Sequence, residues 1–262
     1  MLTSRENPLV KQIISLKTKK GRRKHRLFLA EGPHLLEEAL VSNFEVKHII
    51  TKGEVLPDTA LLEVVKKRGI PISSVSPYLY KDLSETDTPQ DVLGLISLPI
   101  EDVEFPEVKE KYLGLILHQI QDPGNLGTII RTSWAAGIKD IFITPGTVDP
   151  YSGKVVRASQ GGIFNVRIIS SPLHAILSWA TMGRIKIWAA DPQGTHLYFQ
   201  QDFTDSTMFL LGNEARGFGF PDNSFKESLD YLRIPLPGGA ESLNVAISAG
   251  ILIYDAIRQR LI

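Results

Sequence analysis

The chain has 262 residues, which is enough for one large domain or two ordinary ones with a well-buried core. Hydrophobic residues make up 43% of it and charged residues 22%, as in globular proteins, and no apolar run approaches the roughly 18 to 20 residues that span a bilayer. Cysteine is absent, which excludes disulfides, zinc–thiolate sites and a cysteine nucleophile, and the six histidines show no metal-ligand spacing, so no metal site is expected.

The opening "MLTSRENPLVK" lacks the apolar stretch of a secretory signal, and together with the missing cysteine this indicates a cytoplasmic location without a membrane partner. Residues 1–30 carry nine Lys/Arg against one acid, a charge of +8, which leaves −8 on the remainder. Such a run is either a solvated terminus or a phosphate-binding segment, and its connection to a folded strand favours RNA or DNA. The candidate RNA-binding residues are Lys19, Lys20, Arg22, Arg23, Lys24 and Arg26.

From Leu27 onward, short β-rich runs alternate with amphipathic helical patterns. Strands are predicted at "RLFLAEG", "EVKHIIT", "IPISSVS" and "VLGLISL". Helices are predicted at "PHLLEEAL", where Pro33 suits the first turn, and at "DTALLEVVKKRG", which closes on Gly69. The acidic, proline-punctuated stretch from Pro99 to Tyr112 indicates a boundary near residue 108, so we predict domains at 1–108 and 109–262.

The second half begins a new α/β series. Its predicted strands are "YLGLILHQI", "DIFITPG", "NVRII", "KIWAAD", "TMFLLG" and "LRIPL", and their near-continuous apolar character predicts a mostly parallel sheet that is covered on both faces. The last segment, Leu243 to Ile262, reads as a helix that is apolar almost all round through Ile253. A helix without a polar face is either central or packed on a partner chain, and we expect a dimer interface.

Ligands of open α/β sheets bind beyond the carboxyl ends of the strands, and three such ends here are rich in glycine and polar groups. The first is "QDPGNLGTIIRTSWAAG", where Asn125 is expected at a helix N-cap and Gly127 permits a close backbone approach. Arg131 has apolar neighbours, which favours a partner such as a phosphate over a solvated surface arginine.

The other two ends are "LLGNEARGFGF", with Gly212-Asn213-Glu214, and "IPLPGGAESLNVAIS". In the former, G-x-G-x-x-G is absent, which argues against a nucleotide-dependent oxidoreductase. In the latter, prolines and glycines predict an extended loop, Ser242 or Glu241 is expected to cap the final helix, and Asn244 would lie in its first turn.

Taken together, the three segments resemble the motifs of the SpoU-type (TrmH-like) RNA ribose 2′-O-methyltransferases of the SPOUT superfamily. That family has an N-x-G-x-x-x-R-type segment, a strand ending in G-N-E, and I-P-x-x-G-x-x-E-S-L-N before the last helix. All three occur in order across residues 121–254, and "TSRENPLVKQI" and "RLFLAEG" resemble the opening of the family's small, ribosomal-protein-like α/β substrate-binding domain.

The resemblance implies methyl transfer from S-adenosylmethionine to a ribose 2′-hydroxyl, a deep trefoil knot in the catalytic domain, and a homodimer that includes the last helix. It implies cofactor binding, largely by backbone, at Gly212, Ile234 and Leu243. The catalytic residues that it implies are Asn125, Arg131, Glu214, Ser242 and Asn244.

In the family, the arginine that matches Arg131 has been proposed as the general base. A guanidinium stays protonated in proteins, so an Arg131 bound to phosphate that stabilises developing oxyanion charge is an equally good interpretation. The ribosomal-protein-like front end favours 23S ribosomal RNA as substrate. The alternatives are a transfer-RNA 2′-O-methyltransferase and a non-catalytic RNA-binding or ribosome-assembly factor on the same scaffold.

Overall fold

A computed structural model describes residues 1–54, 59–100, 104–108, 110–213, 217–218 and 229–261. The chain divides into two compact units, one formed by residues 1–101 with 149–165 and the other by 102–148 with 166–262. Within the described ranges, no helix is both long and apolar enough to span a membrane.

Unit 1 is built around a four-stranded mixed sheet in the order β1-β4-β2-β3, in which β4 is antiparallel to both neighbours and β2 is parallel to β3. All four strands lie where the sequence predicts them. The elements are α1 (Pro8–Leu16), α2 (Lys19–His25), β1 (Leu27–Glu31), α3 (Pro33–Val41), β2 (Val46–Lys52), α4 (Thr59–Lys67), β3 (Ile72–Val75), α5 (Pro77–Leu83), β4 (Val92–Ser97) and α7 (Gly153–Ala158).

Four helices of unit 1 were not predicted, α1, α2, α5 and α7, and the first three begin at a capping side chain. Asn7 accepts a hydrogen bond from the backbone of Leu9, Thr18 from that of Gly21, and Ser76 from that of Leu79. These local caps start α2, whose charge conceals its pattern, and the seven-residue α5, whereas α1 also displays Val10, Ile13 and Leu16 at helical spacing.

The segment from Asp149 to Asn165 belongs to unit 1 although it lies in the second half of the sequence. Its aromatic ring at Phe164 stacks on Phe28 of β1, with 6.0 Å between the ring centroids. The guanidinium of Arg22 forms an ion pair with Asp149 at 2.6 Å. This segment therefore completes the core of unit 1 by both apolar and ionic contacts.

Unit 2 contains a seven-stranded sheet in the order β7-β6-β5-β10-β8-β11-β9, and every strand pair in it is parallel. This confirms the predicted parallel sheet, although the two-residue β9 is too short for a sequence pattern and was missed. The elements are β5 (Leu113–Leu117), α6 (Pro123–Ala135), β6 (Asp140–Ile143), β7 (Arg167–Ser170), α8 (Leu173–Met182), β8 (Lys186–Ala190), β9 (His196–Leu197), β10 (Thr207–Leu211), β11 (Asp230–Arg233) and α9 (Val245–Leu261).

The last helix, α9, packs against α6 and β10. It buries one face, which includes Ala249 and Leu252, while Ile247 and Tyr254 are 54% and 50% exposed. The guanidinium of Arg260 donates hydrogen bonds to four backbone carbonyls outside the helix, and burial lowers its pKa. These contacts hold the carboxyl end of α9, so the position of its amino end is also set.

Candidate active site

The loops that follow β5, β8, β10 and β11 lie at the same edge of the unit 2 sheet, because these strands are parallel neighbours. The first of these loops leads into α6, and the last leads into α9. Two adjoining clefts lie at this edge. The predicted motifs are therefore brought together by sheet topology, although they are far apart in the sequence.

The inner cleft is a cavity of about 260 Å³. Its lining includes Gly212, Ile234 and Leu243, the three residues predicted to bind the cofactor, and Asp191, which the sequence analysis did not single out. The remaining lining is mostly apolar and comprises Ala190, Pro192, Leu211, Asn213, Gly217, Phe218, Leu232, Leu236, Ser242, Val245 and Ser248.

One wall of the inner cleft admits no side chain at Gly212. A Cβ atom there would lie 2.8 Å from the carbonyl of Gly217 and 2.9 Å from the ring of Phe218. Asn213 and Gly217 exchange two backbone hydrogen bonds of 2.8 and 2.9 Å, and Gly217 has a φ of +60°. The backbone of Asn213 and that of Gly217 are thereby held together in the lining of the cavity.

The outer cleft, of about 500 Å³, is lined by polar side chains that include Asn125, Asn213, Ser242 and Asn244. Asn213, Ser242, Leu243 and Val245 also line the inner cleft, so the two cavities share a wall. A ligand in the inner cleft and one in the outer cleft would meet at these residues.

The side chain of Asn244 caps α9 and reaches across to α6. Its Oδ1 accepts hydrogen bonds from the backbone of Ala246 and Ile247 at 2.9 and 3.3 Å, and its Nδ2 donates to Oδ1 of Asn125 at 2.8 Å. The cap was predicted at Ser242 or Glu241, and that prediction is wrong because Asn244 itself supplies the accepting oxygen. Both amides are thereby held in fixed orientations beside the outer cleft.

Asn125 was also predicted at an N-cap, and the structure corrects this. The cap of α6 is Asp122, whose Oδ1 accepts from the backbone of Asn125 at 2.7 Å. Asn125 is therefore the third residue of the helix, so its amide is not used in capping and meets Asn244 instead.

Arg131 and Glu214 are the two predicted catalytic residues that the described clefts do not contain. Arg131 is exposed on α6, six residues or about 9 Å beyond Asn125 along the helix axis, and neither described lining includes it. Glu214 lies outside the described residues. The structure thus brings together Asn125, Ser242 and Asn244, and the roles of Arg131 and Glu214 stay predictions.

His118, which the sequence analysis did not use, lies behind the inner cleft at the end of β5 and is 8% exposed. Its Nδ1 is 3.0 Å from the hydroxyl of Thr144, and the ring donates to the backbone carbonyl of Phe218. Burial lowers the pKa of His118, and the bond to Phe218 opposes this in part. The imidazole of His118 therefore links the ends of β5 and β6 to Phe218 in the cavity lining.

The basic run of unit 1 forms α2, and its charges are not equivalent. Lys19, Lys20, Arg23 and Lys24 are exposed. Arg22 is 5% exposed and donates to Asp149 at 2.6 and 3.0 Å and to the carbonyl of Leu16 at 2.8 Å. The prediction that Arg22 contacts RNA is not supported, because its guanidinium is buried and paired inside unit 1.

Arg26 follows α2 and is exposed, in a left-handed conformation with a φ of +55°. Its guanidinium donates to the carbonyl of Pro99 at 2.6 Å. Within the described part of the chain, no group of His, Asp and Glu side chains has an arrangement that would hold a metal ion.

Comparison with known proteins adds two family matches. Residues 112–254 match the SpoU rRNA Methylase family, and residues 7–94 match the MRM3-like substrate binding domain. The chain is 35% identical over 254 residues to the 23S rRNA (guanosine(2553)-2′-O)-methyltransferase RlmP of Bacillus subtilis, with 97% of each chain covered.

Solved structures of similar proteins cover nearly the whole chain. The SpoU methyltransferase AviRb from Streptomyces viridochromogenes, in complex with AdoMet, is 27% identical with a TM-score of 0.88, and 98% of this chain and 99% of that one are covered. An AdoMet-bound rRNA methyltransferase from Sinorhizobium meliloti is 32% identical with a TM-score of 0.87, and the coverage is 98% and 97%.

Proposed function

The chain belongs to the SpoU rRNA methylase family, and on that premise we propose that the two clefts of unit 2 hold the methyl donor and the ribose acceptor of an RNA 2′-O-methyltransferase. The activity is transfer of a methyl group from S-adenosylmethionine to a ribose 2′-hydroxyl of RNA. The substrate that the relatives favour is 23S ribosomal RNA.

The observation that carries the proposal is the wall that the clefts share. The apolar inner cleft and the polar outer cleft meet at Asn213, Ser242, Leu243 and Val245. Methyl transfer is an in-line displacement, so donor and acceptor must approach each other from opposite sides of one point. Two different cavities with a common wall supply that arrangement.

The residues of the inner cleft fit S-adenosylmethionine. Leu211, Phe218 and Ile234 offer apolar surface to an adenine ring, and the absence of a Cβ at Gly212 lets Gly217 and Phe218 pack closely against this wall. The bound cofactor supplies an electrophilic methyl group on a sulfonium. Gly212, Ile234 and Leu243 are the proposed backbone contacts.

In the outer cleft, Asn125 and Asn244 hold and orient the ribose. Their amides are fixed by the 2.8 Å bond between them and by the α9 cap, so little side-chain freedom remains to be lost on binding. Ser242, at the shared wall, offers a hydroxyl to the reacting 2′-oxygen.

Arg131 is proposed to bind a backbone phosphate next to the methylated ribose. It is exposed on α6 and lies about 9 Å along the axis from Asn125, which suits the next charged group of an RNA strand better than the 2′-oxygen itself. There its guanidinium would hold the RNA strand so that the 2′-hydroxyl is aligned with the methyl donor. Glu214 is kept as a proposed participant from its motif alone.

Unit 1 is proposed to bind the RNA, and the match to a substrate-binding domain over residues 7–94 supports this. The exposed side chains of α2 form a basic surface, which we call the α2 face, and it consists of Lys19, Lys20, Arg23 and Lys24. Each phosphate contact made by such a side chain releases counterions, which favours binding without selecting a sequence.

We also propose that the protein forms a homodimer through α9. Its domains would be residues 1–108 and 109–262, and the second of these, the catalytic domain, would contain a trefoil knot. Ile247, Ile251, Tyr254 and Leu261 follow a spacing that places them on one side of α9, and three of these four are exposed. Such an apolar stripe is typical of a surface that a second chain covers. Because ribosomal RNA is the proposed substrate, the proposal retains a cytoplasmic location.

The test is ribose-methylation mapping of cellular RNA with and without the protein, combined with transfer of labelled methyl groups from S-adenosylmethionine to a 23S transcript. We expect one ribose in 23S RNA to be methylated in cells that have the protein and unmethylated in cells that lack it. If the methylation that depends on the protein lies in transfer RNA instead, transfer RNA is the substrate. Tight RNA binding with no transfer to any RNA would identify a non-catalytic assembly factor.

A further inference from the structure

Asp191 is the one ionisable side chain among the described residues that line the inner cleft. It follows directly on the carboxyl end of β8, a strand at the centre of the ligand-binding edge. The cleft is otherwise lined by apolar side chains, backbone and small polar groups. Asp191 is therefore the one charged group that the described lining offers to a ligand.

The turn that carries Asp191 is held rigidly against β11. The backbone of Asp191 donates to the carbonyl of Leu232 at 2.8 Å, and Gly194 donates back to the carbonyl of Asp191 at 2.9 Å. A Cβ atom on Gly194 would lie 2.7 Å from the backbone of Leu232, so only glycine permits this contact. The carboxylate is therefore fixed in position before any ligand arrives.

The two oxygens of the carboxylate are used differently. Oδ1 accepts a hydrogen bond of 2.7 Å from the backbone of Gln193. Oδ2 accepts none from the part of the chain that the structure describes. One oxygen thus anchors the side chain, and the other remains available as a charged acceptor at the cleft.

We propose that Asp191 binds the ribose hydroxyls of the methyl donor. This inference rests on the proposed function, because it takes the inner cleft as the S-adenosylmethionine site. A carboxylate that follows the carboxyl end of a parallel strand is the arrangement by which dinucleotide-binding sheets hold a ribose diol. A charged acceptor forms stronger hydrogen bonds to hydroxyls than a neutral one does.

The other cationic or donor groups of the ligand fit less well. The sulfonium must face the acceptor ribose at the wall shared with the outer cleft, and Asp191 lines only the inner cleft. The methionine end carries a carboxylate beside its ammonium, so an Asp191 that bound the ammonium would also lie near a like charge, and the described lining holds no Lys or Arg to compensate. Hydroxyls carry no such penalty.

The test compares ligands that differ in one part, measured by calorimetry on the full-length chain. Asp191→Asn keeps an oxygen for the turn and removes the charged acceptor. It should weaken S-adenosylhomocysteine and 5′-methylthioadenosine equally, by about tenfold, because both retain the ribose and only the former has an amino-acid end. The 2′,3′-dideoxy form of 5′-methylthioadenosine should bind wild type and variant alike.

Asp202→Asn is the matched control. Its Oδ1 accepts from the backbone of Thr204 at 2.8 Å in the same kind of turn, but the residue is exposed and lines neither described cleft. The affinity of Asp202→Asn for both ligands should equal that of the wild type. If Asp202→Asn loses as much affinity as Asp191→Asn, the effect is common to aspartates in such turns and the inference is overturned.

Each other outcome is also decisive. A loss for S-adenosylhomocysteine alone would assign Asp191 to the methionine ammonium, and a loss for S-adenosylmethionine alone would assign it to the sulfonium; both overturn the ribose contact. Equal affinity of variant and wild type for every ligand would remove Asp191 from binding while leaving the cleft intact. Failure of wild type to bind any of these ligands would contradict the proposed function itself.

Discussion

Polar side chains of the two units differ in their surroundings. In unit 1 the buried carboxylate of Glu31 accepts hydrogen bonds from the hydroxyls of Ser84 and Thr86 and from the backbone of Gln90, at 2.7 to 3.1 Å. In unit 2 the amide of Asn125 and the carboxylate of Asp191 each face a cavity. Buried polar groups whose partners are internal stabilise a fold, whereas polar groups that are held in position at a cavity wall are suited to ligands.

This difference separates residues that look alike in the sequence. Arg22 and Arg23 are adjacent in a basic run, yet the former is buried against Asp149 and the latter is exposed. We therefore expect substitutions at the buried charges of unit 1 to lower its stability. Substitutions at exposed or cleft-lining groups should instead change activity or RNA binding.

The largest effect is expected for Arg22→Met. Removal of one partner of a buried ion pair leaves an uncompensated charge on Asp149, which should destabilise unit 1 by about 3–5 kcal/mol. Amide exchange in β1 and β4 measures this, while the fluorescence of the three tryptophans, which all lie in unit 2, should change little. Arg23→Met on the same helix is the control and should leave exchange as in wild type.

Next comes Arg131→Ala, which should lower kcat about 10²–10³-fold, because the RNA phosphate that aligns the 2′-hydroxyl loses its partner. Affinity for S-adenosylhomocysteine should stay within a factor of two or so of wild type, since the described inner cleft does not include Arg131. Single-turnover transfer and calorimetry measure the two quantities. Full activity in Arg131→Ala would exclude this residue from the reaction.

A smaller effect is expected from the α2 face. Changing Lys19, Lys20, Arg23 and Lys24 together to Gln should reduce the slope of log affinity for RNA against log salt by about three, because single-stranded phosphate contacts contribute ~0.7 each. The control changes Lys66, Lys67 and Arg68, which are exposed elsewhere in unit 1. If both sets lower the slope equally, the α2 face has no special part in RNA binding.

The smallest expected effect is a dependence of stability on pH, which can be measured for each unit separately. Burial lowers the pKa of His48 in unit 1 and of His118 in unit 2, so the folded state binds a proton less readily than the unfolded chain, whose histidines titrate near 6.5. Stability should therefore be constant above that pH and fall below it, by at most about 1.4 kcal/mol per pH unit and histidine.

His118→Gln should flatten this decline in tryptophan fluorescence, which follows unit 2, and leave amide exchange in β2 unaffected. His48→Gln, which loses a 2.9 Å contact to the hydroxyl of Ser73, should do the reverse. A steeper decline in either variant would contradict the direction assigned to the two pKa shifts.

Much of the fold follows from local patterns. Every strand of unit 1 and six of the seven described strands of unit 2 were predicted from short apolar runs, because strand formation here depends on β-branched and aromatic side chains that the sequence displays directly. The helices α1, α2 and α5 were missed, since their starts depend on the single caps Asn7, Thr18 and Ser76. Gly21 lowers the intrinsic helix propensity of α2, so it argues against a helix in the sequence. The structure requires this glycine, because a Cβ there would lie 1.9 Å from the carbonyl of Ser15.

The sequence by itself determined the parallel sheet of unit 2, the glycine and proline content of its loops and the motifs that identify the family, because these depend on residues close together in the chain. Only the tertiary structure decided that Asn244 bonds to Asn125, that Asp191 lines the inner cleft, and that Arg22 is buried against Asp149. Those outcomes depend on which strand ends become neighbours and which side chains lose contact with water, and both are set by packing between segments more than a hundred residues apart or on separate loops.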